Sequence, residues 1–147
     1  NAIEAAWLET MGTDRYRYVV MTGGEPLLQL DAPLIEALHH RYFEIAIETN
    51  GTIKIPDGID WVCLSPKANA ELVVKQADEI KLVVPQIEHQ PIETTLHRFE
   101  GMDFRHRYLQ PMDGPQLREN TAYAVELCQK HPLWRLSVQT HKMIGIQ

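Results

Sequence analysis

Six short apolar runs punctuate the chain: YRYVVMT (16–22), FEIAIET (43–49), WVCLS (61–65), DEIKLVV (78–84), HRYLQ (106–110) and WRLSVQT (134–140). Each predicts a β-strand. Several are near-continuous in Val, Ile and Leu rather than alternating, the pattern of parallel strands covered by helices. Helix-spaced positions fall between some of them. Ile3, Ala6, Trp7 and Met11 share one face of a helix over 3–11. Asp31 reads as an N-cap, with Pro33 in the first turn and Leu34, Ile35, Leu38 and Tyr42 as the apolar stripe. Pro91 leads into a short helix within 90–100. Asp113-Gly114-Pro115 opens another, with Leu117, Thr121, Ala124 and Cys128 on one face and Leu127 beside it. Residues 49–60 carry turn signals and predict a small hairpin.

The alternation of strands and helices implies an α/β fold with parallel strands and right-handed crossovers. A doubly wound sheet and a (β/α) barrel both satisfy it. The 147 residues suggest a single domain over 1–147. With 44% hydrophobic and 23% charged residues, the composition is that of a soluble globular protein. The net charge of -6 argues against direct nucleic-acid binding, which needs a basic face. No apolar run reaches membrane-spanning length, so the expectation is a cytoplasmic protein with no membrane partner.

In both candidate folds the active site lies at the carboxyl ends of the strands. Those ends are polar although the strands are apolar: Thr22-Gly23-Gly24-Glu25-Pro26, Glu48-Thr49-Asn50, Ser65-Pro66-Lys67, Gln110-Pro111-Met112-Asp113 and Gln139-Thr140-His141-Lys142. Five polar tips on one rim predict a binding site. Glycines at 23 and 24 let a backbone approach a ligand closely. Glu25 is one fixed anion suited to an ammonium, held extended by Pro26. That combination suits a zwitterionic, amino-acid-like group. Ser65 and Lys67, one residue apart on extended backbone, could hold a carboxylate or ribose oxygens. Gln110 offers amide donors and an acceptor to a heterocycle edge.

No nucleophile–base pair is visible, which assigns the chemistry to a cofactor and leaves no catalytic residue named. Cys63 and Cys128 lie far apart, match no zinc or CxxC spacing, and read as core residues. No two histidines have metal-ligand spacing, and the six besides His141 read as solvated.

YVVMTGGEPLLQ resembles the second strand and GGEP motif of radical S-adenosylmethionine (SAM) enzymes. IAIETNGT, CLSPK, EIKLVV, YLQPMD and WRLSVQTHKMIGIQ narrow the resemblance to the 7-carboxy-7-deazaguanine synthase family. It covers residues 15–147 in order. The resemblance implies a partial (β/α) barrel whose first strand and cluster loop lie upstream of this chain. It implies that Thr22 contacts a pterin substrate and that Gly23, Gly24 and Glu25 bind the methionyl amino group of SAM. Glu48, Thr49 and Asn50 would line the SAM site near the ribose, and Ser65, Pro66 and Lys67 would hold its ribose and carboxylate end. Gln110, Pro111, Met112 and Asp113 would meet the adenosine, and Gln139, His141 and Lys142 would close the substrate side.

It further implies a 4Fe–4S cluster and Mg2+ in the full-length enzyme, with no metal ligand in this chain. Cluster ligation needs closely spaced thiolates, and two distant cysteines do not supply them. An electron donor such as flavodoxin and a homodimer belong to the same expectation. The reaction implied is ring contraction of 6-carboxy-5,6,7,8-tetrahydropterin with loss of ammonia, begun by a 5′-deoxyadenosyl radical. Two other readings remain: a glycyl-radical-enzyme activase, which shares TGGEPLLQ, and a non-catalytic nucleoside-binding module.

Overall fold

Among the described residues six strands line up in the order in which the chain makes them. The computed structural model describes residues 2–86 and 91–146. The strands are β1 (Tyr18–Met21), β2 (Glu44–Thr49), β3 (Trp61–Leu64), β4 (Gln76–Val84), β5 (Asp103–Pro111) and β6 (Arg135–Leu136). They form one sheet, β1-β2-β3-β4-β5-β6, with every neighbouring pair parallel. The order never reverses, so there is no topological switch point. This is the winding of a (β/α) barrel rather than of a doubly wound sheet. Among the described residues the α-helices are α1 (Ala2–Met11), α2 (Ala32–His39), α3 (Ile92–Glu100), α4 (Leu117–Lys130) and α5 (Thr140–Met143).

The core lies between the sheet and its helices. Ile45, Ile47, Leu64, Ile80, Leu82, Val84 and Leu109 are fully buried from the sheet side, and Leu38, Leu96 and Leu127 from the helices. Burying each such side chain contributes about 1.5–3 kcal/mol. The strand register sets the other face. Glu48 pairs with Cys63, Cys63 with Glu79, and Glu79 with His106, so a polar row crosses the sheet on the side the core does not use.

Local chemistry explains where the elements stop. Asp31 caps α2 by accepting the Leu34 N–H at 2.9 Å. The helix ends in a Schellman turn: the Phe43 N–H bonds the Leu38 carbonyl, and the Tyr42 N–H the His39 carbonyl. Tyr42 takes the left-handed position at φ 60° and is 87% exposed, so it leaves the apolar stripe in which the sequence places it. On α1 only Ile3 and Trp7 reach the core; Ala6 and Met11 face outward. The expected strand over 134–140 shrinks to Arg135–Leu136, because Thr140 already starts α5. Residues 51–60 form turns and bends rather than a hairpin. On α4 the buried positions are Asn120, Ala124 and Leu127, while Leu117 is exposed and Cys128 half-buried. Gln90, the first residue of the helix expected over 90–100, lies outside the described residues.

Arg17 ties the edge of the sheet to the helices beside it. Its guanidinium donates to Glu4 at 2.7 Å and to the Arg41 carbonyl at 3.0 Å. The Arg17 hydrogen bond, followed by its charge and then by the hydrogen bond and charge of Arg41, holds the Glu4 carboxyl below its usual range against the opposing effect of burial.

Candidate functional site

The β1 exit is built around one carboxylate. Glu25 is extended, at φ -125° and ψ 106°, as the following proline requires. Its Oε1 caps the short turn Pro26–Leu28 by accepting the Leu27 N–H at 3.1 Å. The same oxygen accepts the Thr49 hydroxyl at 2.9 Å, and Oε2 accepts the Asn50 N–H at 2.8 Å. A carboxylate has about four acceptor positions, so one on Oε2 stays available for a ligand donor. Gly23 and Gly24 sit at φ 84° and φ 40°, and no atom lies within 4 Å of where a Cβ would stand on either. The space a side chain would fill is open. Thr22, Gly23, Gly24, Glu25 and Pro26 line a hollow of about 500 Å³.

Beside it, Glu48 bridges two strands. Its carboxylate accepts the Thr22 hydroxyl at 3.3 Å and pairs with the Lys81 ammonium. Lys81 is 18% exposed at its side chain. Burial works against its charge, but the Glu48 hydrogen bond and the neighbouring negative groups outweigh it and raise the lysine pKa. Further along the polar row, Trp61 stacks on His106 with centroids 6.0 Å apart, and His106 lies against Tyr108. Sequence reading by strand tips missed Lys81, Trp61, His106 and Tyr108, which lie within strands. A lone lysine inside EIKLVV, with period-2 counting from Glu48, was the signal available.

The second half of the rim is a separate group. β5 ends at Pro111, and the Met112 N–H donates to the Val84 carbonyl at 2.7 Å. Buried Asn120 on α4 donates to the Met112 carbonyl at 2.9 Å and fixes the turn. Asp113 pairs with Lys142 of α5. The Lys142 hydrogen bond, helped by the Gly114 N–H, holds the Asp113 carboxyl below its ordinary value. Pro111, Asp113, Leu117, Val138, Gln139 and Lys142 line a mainly apolar hollow of about 180 Å³. Gln110 is half-buried on the polar face, Met112 is exposed, and His141 is exposed on α5.

Ser65 continues the ladder, its N–H donating to the Thr49 carbonyl at 2.7 Å. Pro66 and Lys67 line a smaller hollow of about 50 Å³ with Arg98 and Phe99 of α3. The structure therefore joins Thr22, Glu25, Glu48, Thr49 and Asn50 in one neighbourhood. It puts Asp113, Gln139 and Lys142 in a second, and Pro66 and Lys67 in a third.

These groups fit SAM at the β1 exit: an open glycine cradle, and a carboxylate with one acceptor position left for an ammonium. They do not fit a 4Fe–4S cluster. Cys63 is buried in β3, where burial and then its hydrogen bond to Glu79 push the thiol up. Cys128, on α4, is raised by burial too. Neither is disposed to be a thiolate ligand. Among the described residues no helix is long and apolar enough to cross a membrane.

No protein-family model matches the chain. Curated relatives do. The chain is 57% identical to the 7-carboxy-7-deazaguanine synthase of Bradyrhizobium diazoefficiens over all of its own length and 66% of that protein. It is 55% identical to that of Caulobacter vibrioides, covering 99% of this chain and 65% of the relative. It is 32% identical to that of Prochlorococcus marinus, covering 97% of this chain and 72% of the relative. Among solved structures, QueE from Escherichia coli superposes with a TM-score of 0.66 at 31% identity, over 92% of this chain and 61% of that one. The chain thus spans about two thirds of the length of the curated relatives it matches.

Proposed function

Since the chain belongs to the 7-carboxy-7-deazaguanine synthase family, we propose that it forms the SAM- and substrate-orienting part of a radical SAM carbon–nitrogen lyase. The reaction is conversion of 6-carboxy-5,6,7,8-tetrahydropterin to 7-carboxy-7-deazaguanine with release of ammonia, a step toward queuosine and related 7-deazapurines. The observation that carries this is the Glu25 carboxylate, fixed by Leu27, Thr49 and Asn50 beside an open glycine cradle.

SAM supplies, when bound, a carbon radical for hydrogen abstraction. The residues of this chain bind and orient. Glu25 receives the methionyl ammonium, and the backbone at Gly23 and Gly24 lies against the same group. Glu48, Thr49 and Asn50 line the ribose side, with Ser65, Pro66 and Lys67 toward the ribose and carboxylate end. Gln110, Pro111, Met112 and Asp113 border the adenosine. On the family resemblance, Thr22 and, from the separate group at the β5 exit, Gln139, His141 and Lys142 would face the pterin. The Glu48–Lys81 pair and the Trp61–His106 stack form a polar and aromatic floor beside these residues.

On the family resemblance, the ligands of the 4Fe–4S cluster and of Mg2+ would belong to the part of the relatives' length that this chain does not span. The chain alone is therefore expected to be inactive. The test compares it with a fusion to the remaining third of the Bradyrhizobium relative, both reconstituted anaerobically with iron and sulfide. The fusion is expected to yield 5′-deoxyadenosine and product, and the chain alone neither. Turnover by the chain alone would overturn the division of labour; an inert fusion that carries its cluster would overturn the assignment.

A further inference from the structure

Away from the strand tips, His97, Glu100 and His131 converge. They form a group of three metal-ligating side chains among the described residues, their ligand atoms all within 4.8 Å of one another. His97 and Glu100 are three residues apart on the last turn of α3, and His131 follows the end of α4. Both helices end just before β5 and β6 begin, so the cluster sits at the amino ends of the strands. That is the end opposite the proposed SAM site. We propose that these three side chains form a binding site for a divalent transition metal of the zinc class, which clasps α3 to α4.

The donor set argues for it. Two imidazole nitrogens and one carboxylate oxygen are ligands that zinc takes readily, leaving a fourth position for water. Bonds of 2.0–2.2 Å in tetrahedral geometry put ligand atoms about 3.3–3.5 Å apart. His131 Nδ1 is 3.3 Å from Glu100 Oε1, and His97 Nε2 is 4.0 Å from Glu100 Oε2. The first distance already matches. The second runs to the other carboxylate oxygen; with all three ligand atoms within 4.8 Å of one another, His97, whose side chain is 68% exposed, must swing inward to complete the set. Glu100 is also braced from behind: buried Trp134 donates its indole N–H to Oε1 at 3.1 Å. Such outer contacts orient ligands in metal sites. The nearby Arg107 is committed to the backbone carbonyls of Glu100, Met102 and Phe104. Lys130 pairs with Glu126. The sequence hides the site because His131 comes 31 residues after Glu100.

The experiment is calorimetric titration of Zn2+ into the chelator-stripped chain, with the visible absorption of Co2+ as a reporter of coordination. Wild type should bind one equivalent, with the intense spectrum of a low-coordinate site, and its Tm should rise with Zn2+. His97→Ala removes an exposed side chain and leaves the fold intact. It should weaken binding at least about tenfold, since losing even an outer partner costs about 10–100-fold. His131→Ala should do the same, and His39→Ala should change nothing. Absence of saturable binding would show a plain His–Glu ion-pair cluster and overturn the proposal. So would equal affinity in wild type and His97→Ala.

Discussion

Glu25 accepts the Thr49 hydroxyl at 2.9 Å, which locks the loop leaving β1 onto the end of β2. Thr49 is 1% exposed, and its oxygen also accepts the Gly51 N–H at 3.1 Å. One hydroxyl thus aims the carboxylate and satisfies a buried donor. Thr49→Val removes both bonds while keeping shape. It should destabilise by about 1–3 kcal/mol, the cost of stranding a buried polar group. It should also weaken SAM binding by loosening Glu25. Thr49→Ser should restore both. Urea unfolding and SAM calorimetry on the three proteins check this.

Two glycines should respond differently to a methyl group. A Cβ on Gly51 would stand 2.3 Å from Leu64 and 3.2 Å from Leu72, at φ 79°. Overpacking costs about 1–3 kcal/mol, and left-handed backbone about 1–2 kcal/mol more. Gly51→Ala is therefore expected to cost about 2–5 kcal/mol, a large share of the roughly 5–15 kcal/mol by which a domain is usually stable. A Cβ on Gly24 meets nothing within 4 Å. Gly24→Ala should cost only the backbone strain, about 1–2 kcal/mol, and act mainly on ligand affinity. If Gly24→Ala bound SAM like wild type, the cradle would have no role.

How far the sequence carried these conclusions depends on the kind of signal. Strands β2, β3 and β4 were legible because Val, Ile and Leu runs are dense there. Glu25 stood out as a carboxylate between GG and P, but its partners Leu27, Thr49 and Asn50 were not legible, since two of them lie on the next strand's exit. Tyr42 misled because a Schellman turn looks like one more helical turn until the left-handed residue is placed. The tail misled because WRLSVQT has strand composition, yet only Arg135 and Leu136 pair in the ladder, against Tyr108 and Leu109, with one further bond from the Ser137 N–H to the Leu109 carbonyl. His131 was read as solvated, but its side chain is 11% exposed against Glu100. His39, read the same way, bonds Asp60 at 3.1 Å. Such pairings join residues distant in sequence, and local pattern does not carry them.

Lys81 gives an alkaline signature. Its pKa is raised, so its pairing with Glu48 contributes stability that is fully present below the ordinary lysine value of 10.5. That contribution is lost as pH rises through the folded-state value above it. Lys81→Met should cost about 1.5–3 kcal/mol at neutral pH, because Glu48 loses a charged partner. The gap between wild type and variant should narrow above pH 10.5. Urea midpoints measured across pH 8–11.5 check the sign. A gap that stays constant would show that Lys81 acts through packing alone.

Asp113 and Lys142 should make the tail sensitive to acid. The pair joins the β5 exit to α5, and both side chains are about half exposed. Asp113 has a lowered pKa, so its contribution is present above the ordinary value of 3.8 and lost as pH falls through the lower folded-state value. Exposure makes the pair weak and screened by salt, so global stability should barely move. The local consequence is larger, because α5 has four residues and no buried side chain to hold it. The amides of Met143, Ile144 and Ile146, which bond Gln139, Thr140 and His141, report its docking. Their hydrogen-exchange protection should fall in wild type at high salt and below pH 3.8. In Asp113→Asn it should already be low at neutral pH and insensitive to both. Equal protection in the two proteins at neutral pH would mean that apolar contacts around Val138 and Leu117, rather than this ion pair, close the hollow.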